Sequence, residues 1–333
     1  MKEERAKLDK IKENAEDCEA EPVATPGAIQ PHGVLLVLDP YLKIMQVSEN
    51  APQVVGSKVE DLLDQPLSAL LGERQAKSIR SKIEAETKRS IDPYLRTLPH
   101  SELTIEVNGK KKNFDGIIHR NEQDMLLLEL EPRDLFDGYA VEDPYQLTKS
   151  AILKMQQAAN SPTLYNIIVD EFAALTNFDR VMVYQFDEEY HGDVIAEYLR
   201  KGSFDTSYLG LHFPNSDIPR NARELYKKNW LRIIPDREYD PVEIRSSASW
   251  QRNEPLDLSQ SVLRSVSHYH VEYLQVMNVE ATMSVSIFEG DRLWGLIACH
   301  CKSVRYIPYS IRMACEFIGQ SLSLILTQRQ SRK

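Results

Sequence analysis

The chain has 333 residues, 42% hydrophobic and 27% charged, with 13 glycines and 17 prolines: a globular mixture at a length that predicts about two domains. Fifty acidic against forty basic residues leave a formal charge of −10, which repels phosphate backbones and anionic bilayers and argues against nucleic-acid or membrane partners. No run reaches the ~18 apolar residues of a membrane span, the first seventeen residues are charged throughout, and four cysteines make no disulfide framework, so a cytoplasmic protein is expected.

In chain order, residues 1–20 read as a polar arm. The apolar run Gly33–Leu38 and the segment Ile44–Ser48 read as strands joined at an Asp39-Pro40 turn. Residues 50–70 are helical in flavour, and 75–90 form a charged amphipathic helix. Strands are expected near 102–107, 113–119 and 124–130, the first two joined by Asn108-Gly109 in a loop that the following lysines lengthen. Residues 21–132 therefore suit an α+β domain with an antiparallel sheet. A polar, proline-bearing segment from Glu131 to Pro144 leads to a second block, 145–330. Helices are expected at 145–159 and 163–176, strands at 180–186 and 193–199, and a helix at 219–229. Residues 235–260 show no periodic element, which inside a compact domain points to a functional loop. A short helix at 267–277, an antiparallel pair at 281–288 and 292–301, and a terminal helix at 309–330 complete a second α+β domain.

Catalytic signatures do not appear: there is no phosphate-binding Walker loop, dinucleotide fingerprint, nucleophile elbow or HExxH pair. Cys299-His300-Cys301 has metal-ligand chemistry, but on a strand its thiols face one side and its imidazole the other. The thiols therefore read as core residues. His270, Tyr273, Leu274 and Met277 share one helical face, either a core stripe or a stripe with an inward-facing histidine, while His268 lies to the side. Asp217, in Phe213-Pro-Asn-Ser-Asp-Ile-Pro219, either caps the next helix or marks a site. Arg232 and Arg264 stand in apolar settings and read either as surface residues or as clamps for carboxylates.

Taken together, Cys18-Glu-Ala-Glu-Pro, Pro26-Gly-Ala-Ile-Gln-Pro-His-Gly33, Phe213–Pro219, Leu263-Arg-Ser-Val-Ser267, His270-Val-Glu-Tyr-Leu274 and Leu293-Trp-Gly-Leu-Ile-Ala-Cys-His300 resemble the photosensory core of phytochromes, in order and over about residues 18–330. The resemblance implies a PAS domain followed by a GAF domain, joined by a figure-of-eight knot with Ile29 as the threading residue and 235–260 as the lasso. It also implies a bilin in the GAF pocket. Asp217, next to Ile218, then resembles the residue whose main-chain carbonyl meets the pyrrole nitrogens. His270 resembles the imidazole beside the central rings, and His300 the partner of the terminal D-ring carbonyl. Tyr184, Phe213 and Tyr273 match aromatic positions around that ring. Arg232, Arg264, Tyr226, Ser267, Thr282 and Ser284 match those that hold the propionates.

Tyr269 stands where plant and many cyanobacterial phytochromes carry the attaching cysteine. Cys18 stands where bacterial phytochromes attach biliverdin, which makes biliverdin the expected pigment and phycocyanobilin the alternative. The chain stops in the helix that leads, in that family, to a PHY domain, and carries no kinase boxes. The resemblance thus implies a red/far-red input module, not itself an enzyme, of a sensor that continues through PHY and histidine-kinase modules. A chromophore-free PAS-GAF regulator of small molecules is the alternative. The stripe Ile311, Ala314, Cys315, Ile318, Leu322 and Ile325 of the terminal helix suggests a homodimer contact, shared with covering the GAF sheet.

Overall fold

The computed structural model describes residues 19–89, 100–136, 143–252 and 254–330. The first half of the chain folds as β1 (Ala28–Ile29), β2 (Val34–Leu38), β3 (Ile44–Ser48), α1 (Ala51–Val54), α2 (Val59–Leu62), α3 (Ser68–Arg89), β4 (Ser101–Val107), β5 (Lys110–Arg120) and β6 (Leu126–Pro132). It continues through α4 (Pro144–Gln157), α5 (Ser161–Thr176), β7 (Arg180–Phe186), β8 (Gly192–Leu199), β9 (His212–Phe213), a 3₁₀ turn at Asn215–Asp217 and α6 (Arg220–Lys228). The remaining elements are β10 (Leu231–Ile234), β11 (Val242–Ser246), α7 (His268–Val276), β12 (Ala281–Glu289), β13 (Arg292–Cys301) and α8 (Tyr309–Gln330). Two compact units result, one of which joins Pro22–Asp137 to the excursion Tyr239–Val266.

That unit holds a seven-stranded antiparallel sheet in the order β1-β11-β3-β2-β6-β5-β4. The pleat of β2 sends Val34, Leu36 and Leu38 to one core and Leu35 and Val37 to another. The second core is completed by Ile29 and by Leu256, Leu258 and Leu263 of the excursion. The β4–β5 hairpin is tighter than its sequence suggests. Asn108 and Gly109 both take positive φ (51° and 74°), so Val107 pairs directly with Lys110 and the lysines belong to β5 rather than to a longer loop.

The stretch 235–260, without periodicity in the sequence, contains β11, which pairs with β3 on one side and with β1 on the other. Ile29 opposes Val242 of β11, bridges Arg264, and follows Ala28, whose carbonyl accepts from the Ser265 amide. The arm therefore runs between the two limbs of the excursion, the arrangement a threaded crossing requires. Glu129, fully buried on β6, fastens one limb: it accepts from Ser261 Oγ at 2.8 Å, Leu263 N at 2.7 Å and Val262 N at 3.2 Å.

The other unit is built on a six-stranded antiparallel sheet in the order β10-β12-β13-β7-β8-β9. Its helix α5 starts at the cap residue Asn160, whose side chain accepts from the Thr163 amide, and has Pro162 in its first turn. Helix α8 packs along β12 and α4, and buries Ile311, Ala314, Cys315, Ile318 and Leu322 there. Most of that stripe covers its own unit, with Ile325 only half-buried. The large apolar residues α8 leaves exposed are Phe317 and Leu324.

Candidate ligand pocket

Strand alternation sets the floor of a cavity in the six-stranded unit. Met182 and Tyr184 of β7 face the same side as Leu296, Ala298 and His300 of β13, and Leu296↔Tyr184 and Ala298↔Met182 are register partners. Cys299 and Cys301 point the other way and are fully buried, as strand geometry requires of that triplet. Arg232 of β10 lies opposite Ser284 of β12, and Ile234 opposite Thr282, so one flank of the cavity is polar. Tyr226 of α6 closes that flank, its hydroxyl 3.5 Å from Ser284 Oγ.

Helix α7 forms the opposite wall with His270, Tyr273, Leu274 and Met277, one face at i, i+3, i+4 and i+7. His268 of the same helix is mostly exposed, with Nδ1 3.7 Å from Glu21. The cavity's empty space is about 900 Å³, a figure that includes open solvent at its mouth.

Asp217 does not cap α6, whose cap residue is Pro219 without a side-chain bond. Instead its Oδ2 accepts a hydrogen bond from Tyr273 at 3.1 Å. Arg223 holds the turn from behind, its Nη1 donating to the carbonyls of Asn215 (3.1 Å) and Ile218 while its guanidinium lies 4.6 Å above the Tyr190 ring. Among the described residues, Asp217 is the only carboxylate lining the cavity and Arg232 the only guanidinium. Burial and the Asp217 charge push the phenols of Tyr184 and Tyr273 above their ordinary range, so both remain protonated. His300 is pushed down to about 3 by burial, then by Arg180 and His270, and is neutral near pH 7. Its Nδ1 makes no hydrogen bond among the described residues.

Aromatic rings complete the wall: Tyr184 and Phe213 have centroids 6.0 Å apart, and Tyr208 and Phe213 5.9 Å. Gly192 makes the Tyr184 position possible, because a Cβ there would come within 1.8 Å of the ring.

Of the residues expected at the site, Tyr184, Phe213, Asp217, Ile218, Tyr226, Arg232, His270, Tyr273, Thr282, Ser284 and His300 converge on this cavity. Arg264 does not line it. Placed at the end of the excursion, Arg264 is 6% exposed and donates from Nη1 to the Val23 carbonyl at 2.7 Å. Ser267 precedes α7 as its cap residue, its Oγ buried without a hydrogen bond among the described residues, and it too is absent from the lining. Ile29 belongs to the other unit, and Cys18 lies outside the described residues. Tyr208 was not legible as a site residue, since a lone tyrosine in the polar stretch 201–211 carries no periodic signal.

Two family models match the chain, a PAS fold over residues 18–133 and a GAF domain over 161–326. The chromophore-binding domain of a Stigmatella aurantiaca bacteriophytochrome in the Pr state superposes with a TM-score of 0.83 at 44% identity, over 93% of this chain and 99% of that one. The chain belongs to the phytochrome family. Cyanobacterial phytochrome B of a Nostoc species is 46% identical over 315 residues, 94% of this chain and 41% of that relative. A longer PAS-GAF-PHY structure from Stigmatella aurantiaca is 43% identical with a TM-score of 0.81, over 93% of this chain and 60% of that one. The chain thus spans between about a quarter and a half of the length of the curated phytochromes it matches, 41% for the Nostoc relative.

Proposed function

We propose that this chain is the bilin-binding light-sensing module of a phytochrome, that it carries biliverdin through a thioether at Cys18, and that its parent continues through a PHY domain into a histidine-kinase output. The observation that carries the reading is the cavity itself: lined by aromatic rings, with one carboxylate, one guanidinium and an inward-facing neutral imidazole. Those residues fit an open-chain tetrapyrrole. The His300 Nδ1 is a buried polar atom without a partner among the described residues, the aromatic rings suit a π-system, and the polar flank suits carboxylates. When bound, such a pigment absorbs red light and isomerises about a double bond.

Each residue then has a physical role. Arg232, with Tyr226, Thr282 and Ser284, would hold the propionates on the polar flank. Asp217 places negative charge and a main-chain carbonyl beside protonated pyrrole nitrogens, where partial desolvation strengthens the attraction. His270, on the α7 wall, would stand beside the central rings. His300, neutral, can donate its one ring N–H to a ring carbonyl. Tyr184 and Tyr273 keep their protons and shape the slot around that ring.

Support for biliverdin comes from the sequence: Tyr269 removes the thiol from the position before His270, and a phenol with pKa ~10 cannot act as the nucleophile near neutral pH. Burial raises the thiols of Cys299 and Cys315 and makes them poor nucleophiles. Phycocyanobilin is the alternative pigment. The chromophore-free reading gives no reason for a cysteine in the arm.

Mixing the protein with biliverdin should give a red-absorbing band, with pigment that co-migrates with the polypeptide after denaturation. Cys18→Ser should bind the pigment yet release it on denaturation. Pigment retained by Cys18→Ser would move the link elsewhere, and absence of any band would leave the small-molecule regulator standing. In the loaded protein, Asp217→Ala and His270→Ala should each lower the pigment's pKa, read by pH titration of the absorption spectrum.

A further inference from the structure

The floor of the cavity continues past Met182 and His300 into a buried ion pair. Arg180 precedes Met182 by two on β7 and opposes His300 across β13, while Glu197 of β8 opposes Met182. All four therefore share one face of the sheet. Arg180 Nε lies 2.9 Å from Glu197 Oε1, with the two side chains 1% and 3% exposed.

Both partners hold the same loop. The Arg180 guanidinium is sandwiched between two rings, 3.8 Å from the Tyr208 centroid and 4.3 Å from that of Phe204, and its Nη2 donates to the Thr206 carbonyl. Glu197 accepts from the amides of Tyr208 (3.1 Å) and Leu209 (3.4 Å) and from the Ser207 hydroxyl. Every residue from Phe204 to Leu209 except Asp205 thus makes a contact with the pair. Tyr208 is the member of that loop that lines the cavity.

A buried ion pair is an expensive way to pin a surface loop, since desolvation offsets much of the attraction and an apolar replacement is often as stable. What the pair supplies, and an apolar cluster would not, is direction: a planar cation sets the tilt of the ring above it, and a carboxylate sets the position of two consecutive amides. We propose that Arg180 and Glu197 are positioning residues for the pigment pocket, holding Tyr208 at a fixed angle in its wall. This rests on the bilin reading of the cavity, and it adds a structural element outside the lining that shapes the environment of the bound pigment.

The test has one readout that needs no pigment. In the pigment-free protein, Arg180→Met should speed amide exchange at Tyr208 and Leu209 by about tenfold or more, leaving the amides of β12 and β13 unchanged. Arg180→Lys, which keeps the charge but not the planar fork, should fall between the parent and Arg180→Met. Glu197→Gln, close in shape, gives the same measurement should Arg180→Met fail to fold. The second readout uses the biliverdin-loaded protein. Tyr208→Leu and Arg180→Met should each change the width and position of the red band, and the double variant should change it no further, because one residue acts through the other.

Unchanged exchange at Tyr208 and Leu209 in both Arg180→Met and Glu197→Gln would overturn the proposal, as would additive spectral changes. If the parent takes up no biliverdin, the pocket reading fails while the exchange experiment still judges the pair.

Discussion

The two units solve one problem in opposite ways. Each is an antiparallel sheet with two faces to cover, and each sets a carboxylate among apolar side chains. In the seven-stranded sheet both faces are covered by the chain's own residues, Val34, Leu36 and Leu128 on one side and Leu35, Val37 and Leu127 on the other. Glu129 there has its oxygens occupied by three donors from the excursion. In the six-stranded sheet, helix α8 covers one face, and part of the other is left to a cavity in which Asp217 is held by Tyr273. A sheet face that the chain itself covers adds stability, whereas one left uncovered becomes a place for a ligand.

The comparison is most exposed to Glu129→Ala against Asp217→Ala. Removing Glu129 strands three donors, at ~1–3 kcal/mol for each buried group left unsatisfied, so a loss of at least roughly 3 kcal/mol is expected. Amide exchange around Leu263 under mild urea should report it. Asp217→Ala should cost less than about 1 kcal/mol, because that side chain is only partly buried and faces a cavity. Equal losses in the two variants would mean that both carboxylates are structural.

Titration sharpens the same contrast. Burial raises Glu129 to about 7 and lowers His119, with Nδ1 3.4 Å from it, to about 4. The raised acid removes stability as pH climbs from about 4.5 to 7, because the unfolded chain releases that proton first. The depressed histidine adds stability between about 4 and 6.5, where only the unfolded chain binds the proton. The two slopes oppose each other, so the parent should be nearly flat across this window. Glu129→Gln should unmask a rise from pH 4 to 6.5 of up to ~3 kcal/mol, measured by urea unfolding at several pH values. A flat profile in that variant would show that His119 titrates normally.

A smaller effect is expected from Gly192→Ala. The added methyl meets the Tyr184 ring, and such overpacking costs ~1–3 kcal/mol. Because Tyr184 lines the cavity, pigment uptake should slow and the red band broaden in addition to any shift in melting temperature. Normal uptake with lowered stability would place Tyr184 outside the pigment's reach.

The sequence made some of this legible residue by residue. The apolar segments Arg180–Phe186 and Arg292–Cys301 were placed at the observed strand ends, and the spacing of His270, Tyr273, Leu274 and Met277 put the four on one helical face while leaving open whether that face was core or site. Glu129 was hidden by the same rule: in Leu126-Leu-Leu-Glu-Leu-Glu-Pro132 a glutamate reads as solvent-facing, yet both are fully buried. Nothing local distinguishes an exposed carboxylate from one met by donors more than a hundred residues away.

By itself, then, the sequence determined most of the elements, and its ordered motifs carried the family resemblance that named most of the cavity's lining, because periodicity, turn chemistry and motifs are local properties of the chain. Only the tertiary structure decided that Arg264 donates to the Val23 carbonyl, that β11 forms by pairing with β1 and β3, and that Arg180 and Glu197 meet the loop that carries Tyr208. Each of those outcomes depends on hydrogen bonds or ion pairs between segments distant in sequence. Their energies arise from burial and geometry, which exist only once the chain has folded.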